Sequence, residues 1–123
     1  MEYRGFRDLK VYQLAYKLAM EIFEETKNFP KEEKYSLTDQ LRRSSRSIVA
    51  NIAEAWKKRM YVKSFVSKLI DSYGEEGETE VWLDMAFDSG YLTEEKHRYF
   101  RQGYDEVSKM LHSMISHPEK FCT

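Results

Sequence analysis

The chain of 123 residues is predicted to fold as an all-α, antiparallel up-down-up-down four-helix bundle. Three observations carry that expectation. No proline falls between Pro30 and Pro118. Across that stretch apolar residues recur at three- and four-residue spacing and do not alternate, which is the period of a helix with one buried face. Capping residues and glycines then cut the pattern into four segments with short connections, and short connections favour antiparallel neighbours.

The first helix is predicted to start after Asp8 as N-cap and to run to about Asn28. Its inner stripe would be Tyr12, Ala15, Ala19, Ile22, Phe23 and Thr26, with Phe29 and Pro30 as its stop. A second helix opens at Ser36, with Asp39 three residues on in a capping-box-like arrangement. Leu41, Ser45, Ile48 and Ile52 face inward, and the helix ends near Lys58. The third carries Val62, Phe65, Val66, Leu69, Tyr73, Leu83 and Phe87. It stops at Gly90, a residue that readily takes the left-handed C-cap conformation. Thr93 caps the fourth, where Phe100, Gly103, Tyr104, Val107, Leu111 and Met114 form the stripe before Pro118 closes the segment. No internal repeat or linker interrupts residues 1–123, so a single domain is expected.

Composition narrows the function classes. Twenty Lys and Arg against twenty-one Asp and Glu leave a net charge of -1, so any electrostatic partner must be met by a local patch. No apolar run approaches a membrane-spanning length and no secretory leader is recognisable, so a soluble, cytoplasmic protein is expected. Cys122 stands alone, excluding an internal disulfide and a cysteine zinc site.

Two helices carry more apolar surface than one core needs. Val11, Leu14 and Leu18 form a second stripe on the first helix, and Val81, Trp82, Met85 and Ala86 do the same on the third. A helix apolar on two faces usually covers a second partner, so self-association is expected through Val11, Leu14, Leu18, Val81, Trp82 and Met85. The alternative is that long neighbouring side chains cover them.

Charge is unevenly placed. Lys34 to Lys63 hold eight basic and two acidic residues, whereas Asp71 to Glu95 hold nine acidic and no basic ones. If helices two and three turn around near residue 60, residues whose numbers sum to about 120 lie level. That sets Arg42, Arg43 and Arg46 level with Gly74 to Glu78, where Glu76, with Glu80 one turn further on, lies on an inner stripe and an unpaired carboxylate is costly. Pairing of these arginines with Glu76 and Glu80 is therefore expected ahead of their holding phosphate. The remaining basic residues gather at one pole: Arg4, Arg7 and Lys10, then Lys57, Lys58, Arg59 and Lys63, with Lys109 and Lys120 behind. Glu32, Glu33, Asp84, Asp88, Glu94 and Glu95 mark the other pole. The basic pole is a candidate phosphate-binding surface for RNA or DNA, with an ordinary solvated cluster at helix ends as the alternative.

Enzymatic chemistry finds little footing. A di-iron site in such a bundle needs two Glu-x-x-His pairs, and only Glu94 and His97 have that spacing, with Glu94 in a first helical turn where acids are favoured anyway. No phosphate-cradling glycine loop or nucleophile elbow occurs. Ser44, Ser45 and Ser47 read as small residues permitting close helix approach, and Tyr12, Tyr73 and Tyr104 as packing residues. Asn51 and Glu54, midway along helix two, are expected at an interface or in inter-helix hydrogen bonds. No catalytic residue, metal, cofactor or small-molecule substrate is expected.

Asp8-Leu9-Lys10-Val11-Tyr12-Gln13, Phe29-Pro30-Lys31-Glu32-Glu33, Tyr35 to Ser45 and Ser47 to Ala55 together resemble a family of bacterial four-helix bundle proteins. These were first noted as products of intervening sequences in 23S ribosomal RNA genes. Glu78 to Leu83 and Gly90-Tyr91-Leu92 are similar to one branch of it. Where many members have proline and glycine, this chain has Val49 and Ala55. The resemblance implies a homopentameric ring of up-down bundles. It also implies kinship with nucleic-acid-binding accessory proteins of diversity-generating retroelements, which are more basic than this chain.

Overall fold

A computed structural model describes residues 3–122. Four helices form the bundle: α1 (Lys10–Thr26), α2 (Leu37–Lys57), α3 (Val62–Asp88) and α4 (Glu94–Ser116), and no strand occurs among the described residues. Short 3-10 turns at Phe6–Asp8, Lys31–Glu33 and Pro118–Lys120 lead into, link and close the helices.

The helix ends follow local chemistry. Asp8 is not the cap of α1, because its carboxylate accepts the Arg4 amide at 2.7 Å and closes the preceding turn; Leu9 takes the cap position. At α2 the Ser36 hydroxyl donates to Glu33, and Glu33 Oε1 in turn accepts the Leu37 amide, so the first-turn cap comes from upstream and not from a Ser36–Asp39 box. Gly90, at φ +82°, ends α3: its amide donates to the Phe87 carbonyl and the Tyr91 amide to that of Ala86, satisfying two terminal carbonyls. Thr93 caps α4 by accepting the Lys96 amide at 3.1 Å.

The predicted inner face of α2 lies in the core, with Leu41, Ser45, Ile48 and Ile52 all buried. On α3 the buried residues are Phe65, Leu69, Ser72, Glu76, Thr79, Leu83 and Ala86, a seven-residue repeat that leaves Val62 and Tyr73 outside. On α1 the buried residues are Val11, Ala15, Leu18, Ala19, Ile22 and Thr26: four of the predicted stripe are among them, joined by Val11 and Leu18, while Tyr12 and Phe23 sit at its edge. Gly103 of α4 admits this α1 face closely: a Cβ there would lie 2.8 Å from Leu18 Cδ2.

Helices α2 and α3 are level as their numbering predicts. The Ser72 hydroxyl donates to the Ile48 carbonyl at 2.9 Å, and the Thr79 hydroxyl to Ser44 Oγ at 2.8 Å. Both bonds are buried. The α1–α4 seam is the loosest of the helix pairings and leaves a cleft of about 630 Å³ containing Tyr16, Met20 and Tyr99.

Candidate functional site

The up-down path brings the start of α1, the α2–α3 turn and the end of α4 to one pole. An aromatic cluster ties them together there: Tyr3 packs edge-on against Trp56 at 5.8 Å and stacks with Phe121 at 5.9 Å, and Phe121 stacks with Phe65. Around it stand Arg4, Arg7, Lys10, Lys57, Lys58 and Lys63, all exposed, with Arg59 half-buried. These seven cations are not equivalent. Arg59 lies 4.1 Å over the Trp56 ring and donates to the Trp56 carbonyl, so it helps build the turn. Lys58 reaches Glu54 only at 3.9 Å, and Glu54 is held more closely by Lys68 at 2.6 Å. Arg4, Arg7, Lys10, Lys57 and Lys63 make no ion pair among the described residues. Met60 and Tyr61, 65% and 68% exposed, project between Lys58 and Lys63. Sequence reasoning passed over them because a two-residue apolar step at a helix junction has no period to betray it.

At the opposite pole acidic groups are tied into contacts. Tyr91 donates to Glu33 at 2.9 Å, Lys96 pairs with Glu25, and His97 lies 2.8 Å from Asp84 while stacking on Phe87. Glu94 pairs with Arg98. The Glu94 and His97 spacing thus serves two separate surface contacts. No group of three or more metal-ligating residues comes together among the described residues.

The expected pairing of Arg42, Arg43 and Arg46 with Glu76 and Glu80 does not form. Arg42 turns toward α1, where its Nε donates to Thr26 Oγ1 at 2.8 Å and its guanidinium covers the Phe23 ring at 4.7 Å. Arg46 lies over the same ring at 5.5 Å. Arg43 lines a polar cleft between α2 and α3 with Arg46, Glu75 and Glu78. Level position was right, but helix rotation turns Arg42 to α1 and sets Arg43 and Arg46 toward Glu75 and Glu78 at the edge of the α2–α3 pair, not toward Glu76 and Glu80. Glu80 is exposed, while Glu76 is buried with no arginine beside it. Burial, together with the adjacent Glu80 carboxylate, pushes the Glu76 carboxyl up to about 9, so it is held neutral. Its Oε2 and the Tyr104 hydroxyl are buried without partners. Burial and the nearby Glu76 also raise Tyr104.

The outward apolar stripes are likewise redistributed. Val11 and Leu18, expected at an oligomer interface, are 2% and 1% exposed and belong to the core, and Leu14 packs against it. Residues of both expected α1 stripes share the buried face, and Gly103 leaves room for Leu18 there. The apolar residues left outside on α1 are Tyr16 and Met20. On α3, Val81 and Met85 are half exposed, Trp82 is half-buried with its Nε1 donating to Glu78 at 3.3 Å, and Ile70 extends the same surface. Asn51 bonds Ser47 within its own helix, whereas Glu54 bridges α2 and α3 through Lys68.

Fold and surface together define a small up-down helical bundle with a basic pole, an acidic pole and a neutralised carboxyl in its centre. The chain belongs to the family of 23S rRNA-intervening sequence proteins, which it matches over residues 7–113. It is similar to a crystal structure of a protein of unknown function from the S23 ribosomal protein family of Bacteroides thetaiotaomicron. The two share 31% identity with a TM-score of 0.78, over 86% of this chain and 95% of that one. No curated protein matches it. No described helix is long and apolar enough to cross a membrane.

Proposed function

We propose that this protein is a non-enzymatic, self-associating cytoplasmic bundle whose basic pole holds RNA or DNA by its phosphates, without reading sequence. The observation that supports this reading most is the run of exposed cations at one pole, Arg4, Arg7, Lys10, Lys57, Lys58 and Lys63, most of them without a carboxylate partner among the described residues. Assembly with the poles aligned, as in the homopentameric ring that the resemblance implies, would multiply that charge on one face. Phosphate contacts release counterions and position a strand, whereas discrimination between bases requires side chains presented to base edges. The acidic pole, turned away from the strand, limits affinity and keeps binding salt-sensitive.

The experiment is a salt titration of nucleic-acid binding by the wild type and by the triple variant Lys57→Gln, Lys58→Gln, Arg59→Gln. Weaker binding to every sequence is expected, with the slope of log affinity against log salt reduced by up to about 1.8 per engaged protomer on duplex for the two exposed lysines, Arg59 being held over Trp56. An unchanged slope in an equally folded variant overturns the assignment of the pole. Binding to protein partners with none to nucleic acid would favour the alternative, an interaction scaffold. Self-association is tested separately: a solution mass equal to the 14.8 kDa protomer at micromolar concentration overturns it. The outward Val81 and Met85 support it, and changing both to lysine is expected to lower the assembly mass while leaving helicity intact.

A further inference from the structure

We infer that the cleft formed by Arg7, Tyr12, Gln13 and Tyr16, at the α1 edge of the basic pole, takes one unpaired nucleotide, making the preferred ligand single-stranded. The inference rests on the proposed phosphate-binding role of the pole. The cleft measures about 460 Å³, within the range of small-ligand sites and ample for one base with its sugar. Two of its four lining residues are aromatic: Tyr12 and Tyr16 lie 5.9 Å apart, with Tyr12 backed edge to face by Phe6 at 5.1 Å and Tyr16 51% exposed. An exposed tyrosine face at the mouth of a cleft is a stacking surface for a base, and any base offers a π-face to it.

The polar groups suit the rest of a nucleotide. The Arg7 guanidinium lies 4.5 Å over the Phe6 ring. Stacking orients the plane and leaves the N–H edges available for a phosphate. Gln13, which also lines the cleft, donates its Nε2 to the Arg7 carbonyl at 2.8 Å, which fixes the amide and leaves Oε1 able to accept. No carboxylate lines the cleft. The neighbouring Asp8 is occupied by the Arg4 amide. A paired base in a duplex is covered on both faces by its neighbours, so this cleft can accept only a base that has left the stack.

The test measures anisotropy of labelled oligothymidylate of about 12 nucleotides and of a duplex of equal length, a span within the reach of one stacking site and its flanking charges. The wild type is expected to prefer the single strand. Tyr16→Ala should weaken single-strand binding by about 5- to 150-fold, the range that follows from losing one base stack, and leave duplex binding unchanged. Tyr16→Phe should retain the wild-type preference. Equal loss on both ligands, or no loss on either, overturns the cleft while the pole reading stands. If the wild type binds neither ligand, both readings fall. Loss of assembly mass in Tyr16→Ala would make Tyr16 an interface residue and overturn the inference. So would a Tyr16-dependent attachment to phosphatidylserine vesicles without one to the oligonucleotide.

Discussion

Replacing Glu76 by glutamine turns the buried carboxyl of α3 into a permanently neutral side chain of nearly the same shape. An ordinary glutamate titrates at 4.5, whereas burial beside Glu80 pushes Glu76 up to about 9 in the folded protein. Between those values the folded state holds one proton that the unfolded state has lost. Stability contributed by the neutral carboxyl is therefore complete below the unfolded value and declines as pH rises toward the folded one. The limiting slope is about 1.4 kcal/mol per pH unit, so from about pH 5 to pH 7.5 the wild type loses up to about 3 kcal/mol on this account. Glu76→Gln removes the slope. Whatever the amide costs in imperfect hydrogen bonding is a constant offset, so the variant should gain on the wild type steadily with pH. Urea unfolding followed by circular dichroism at intervals across that window measures the difference directly. Glu75, also raised by burial, contributes the same trend to both proteins and cancels. Parallel stability curves for the two proteins would refute the assignment of a neutral Glu76.

Other expectations follow from packing. Gly103→Ala should destabilise by about 1 to 3 kcal/mol because Leu18 has little room to yield, and Leu18→Ala in the same chain should cancel part of that loss in a double-mutant cycle. Gly77→Ala, where a Cβ meets nothing within 4 Å, should instead stabilise by up to about 1 kcal/mol. Arg42→Met retains the stem over Phe23 but removes the bond to Thr26, with an expected loss of about 1 kcal/mol in urea unfolding. Thr79→Val leaves the hydroxyl of Ser44 without its cross-helix donor and should cost about 1 to 2 kcal/mol.

Much of the bundle is legible in the amino-acid sequence. Proline placement, Gly90 and Thr93 gave the segments, and the turnaround near residue 60 set α2 against α3 at the level seen in the Ser72 and Thr79 bonds. Rotation about the helix axis was not legible in two places. On α1 the buried face takes residues of both expected stripes, and Leu18 fits there because a glycine of another helix leaves room for it. On α3 Glu76 lies on the inner stripe as expected, but the buried repeat also passes through Ser72 and Thr79, and a hydropathy pattern discounts such residues in favour of Tyr73 and Val66. The arginine pairing failed for the same reason, since level does not determine direction. The poles were readable because they depend only on topology, whereas the cleft depends on Tyr12, expected to pack inward, and on Tyr16, which fell on neither expected stripe.

The polar residues of the α3 repeat have a consequence for alignment. A seam of apolar residues recurring every seven positions is nearly degenerate, because sliding one helix by a full repeat still sets greasy side chains against greasy side chains. Here the slide is marked. Moved one way, Ala86 would take the place of Thr79 opposite Ser44 and strand that hydroxyl; moved the other, Phe65 would press against the Ile48 carbonyl where Ser72 now donates. The hydroxyl layer works as a vernier: it adds modestly to stability, yet it distinguishes one longitudinal setting of the helix pair from its near copies. A chain with Ser72, Glu76 and Thr79 all replaced by aliphatic residues could thus unfold at a higher temperature and still lose the single setting that keeps the cations of its two helices at one end.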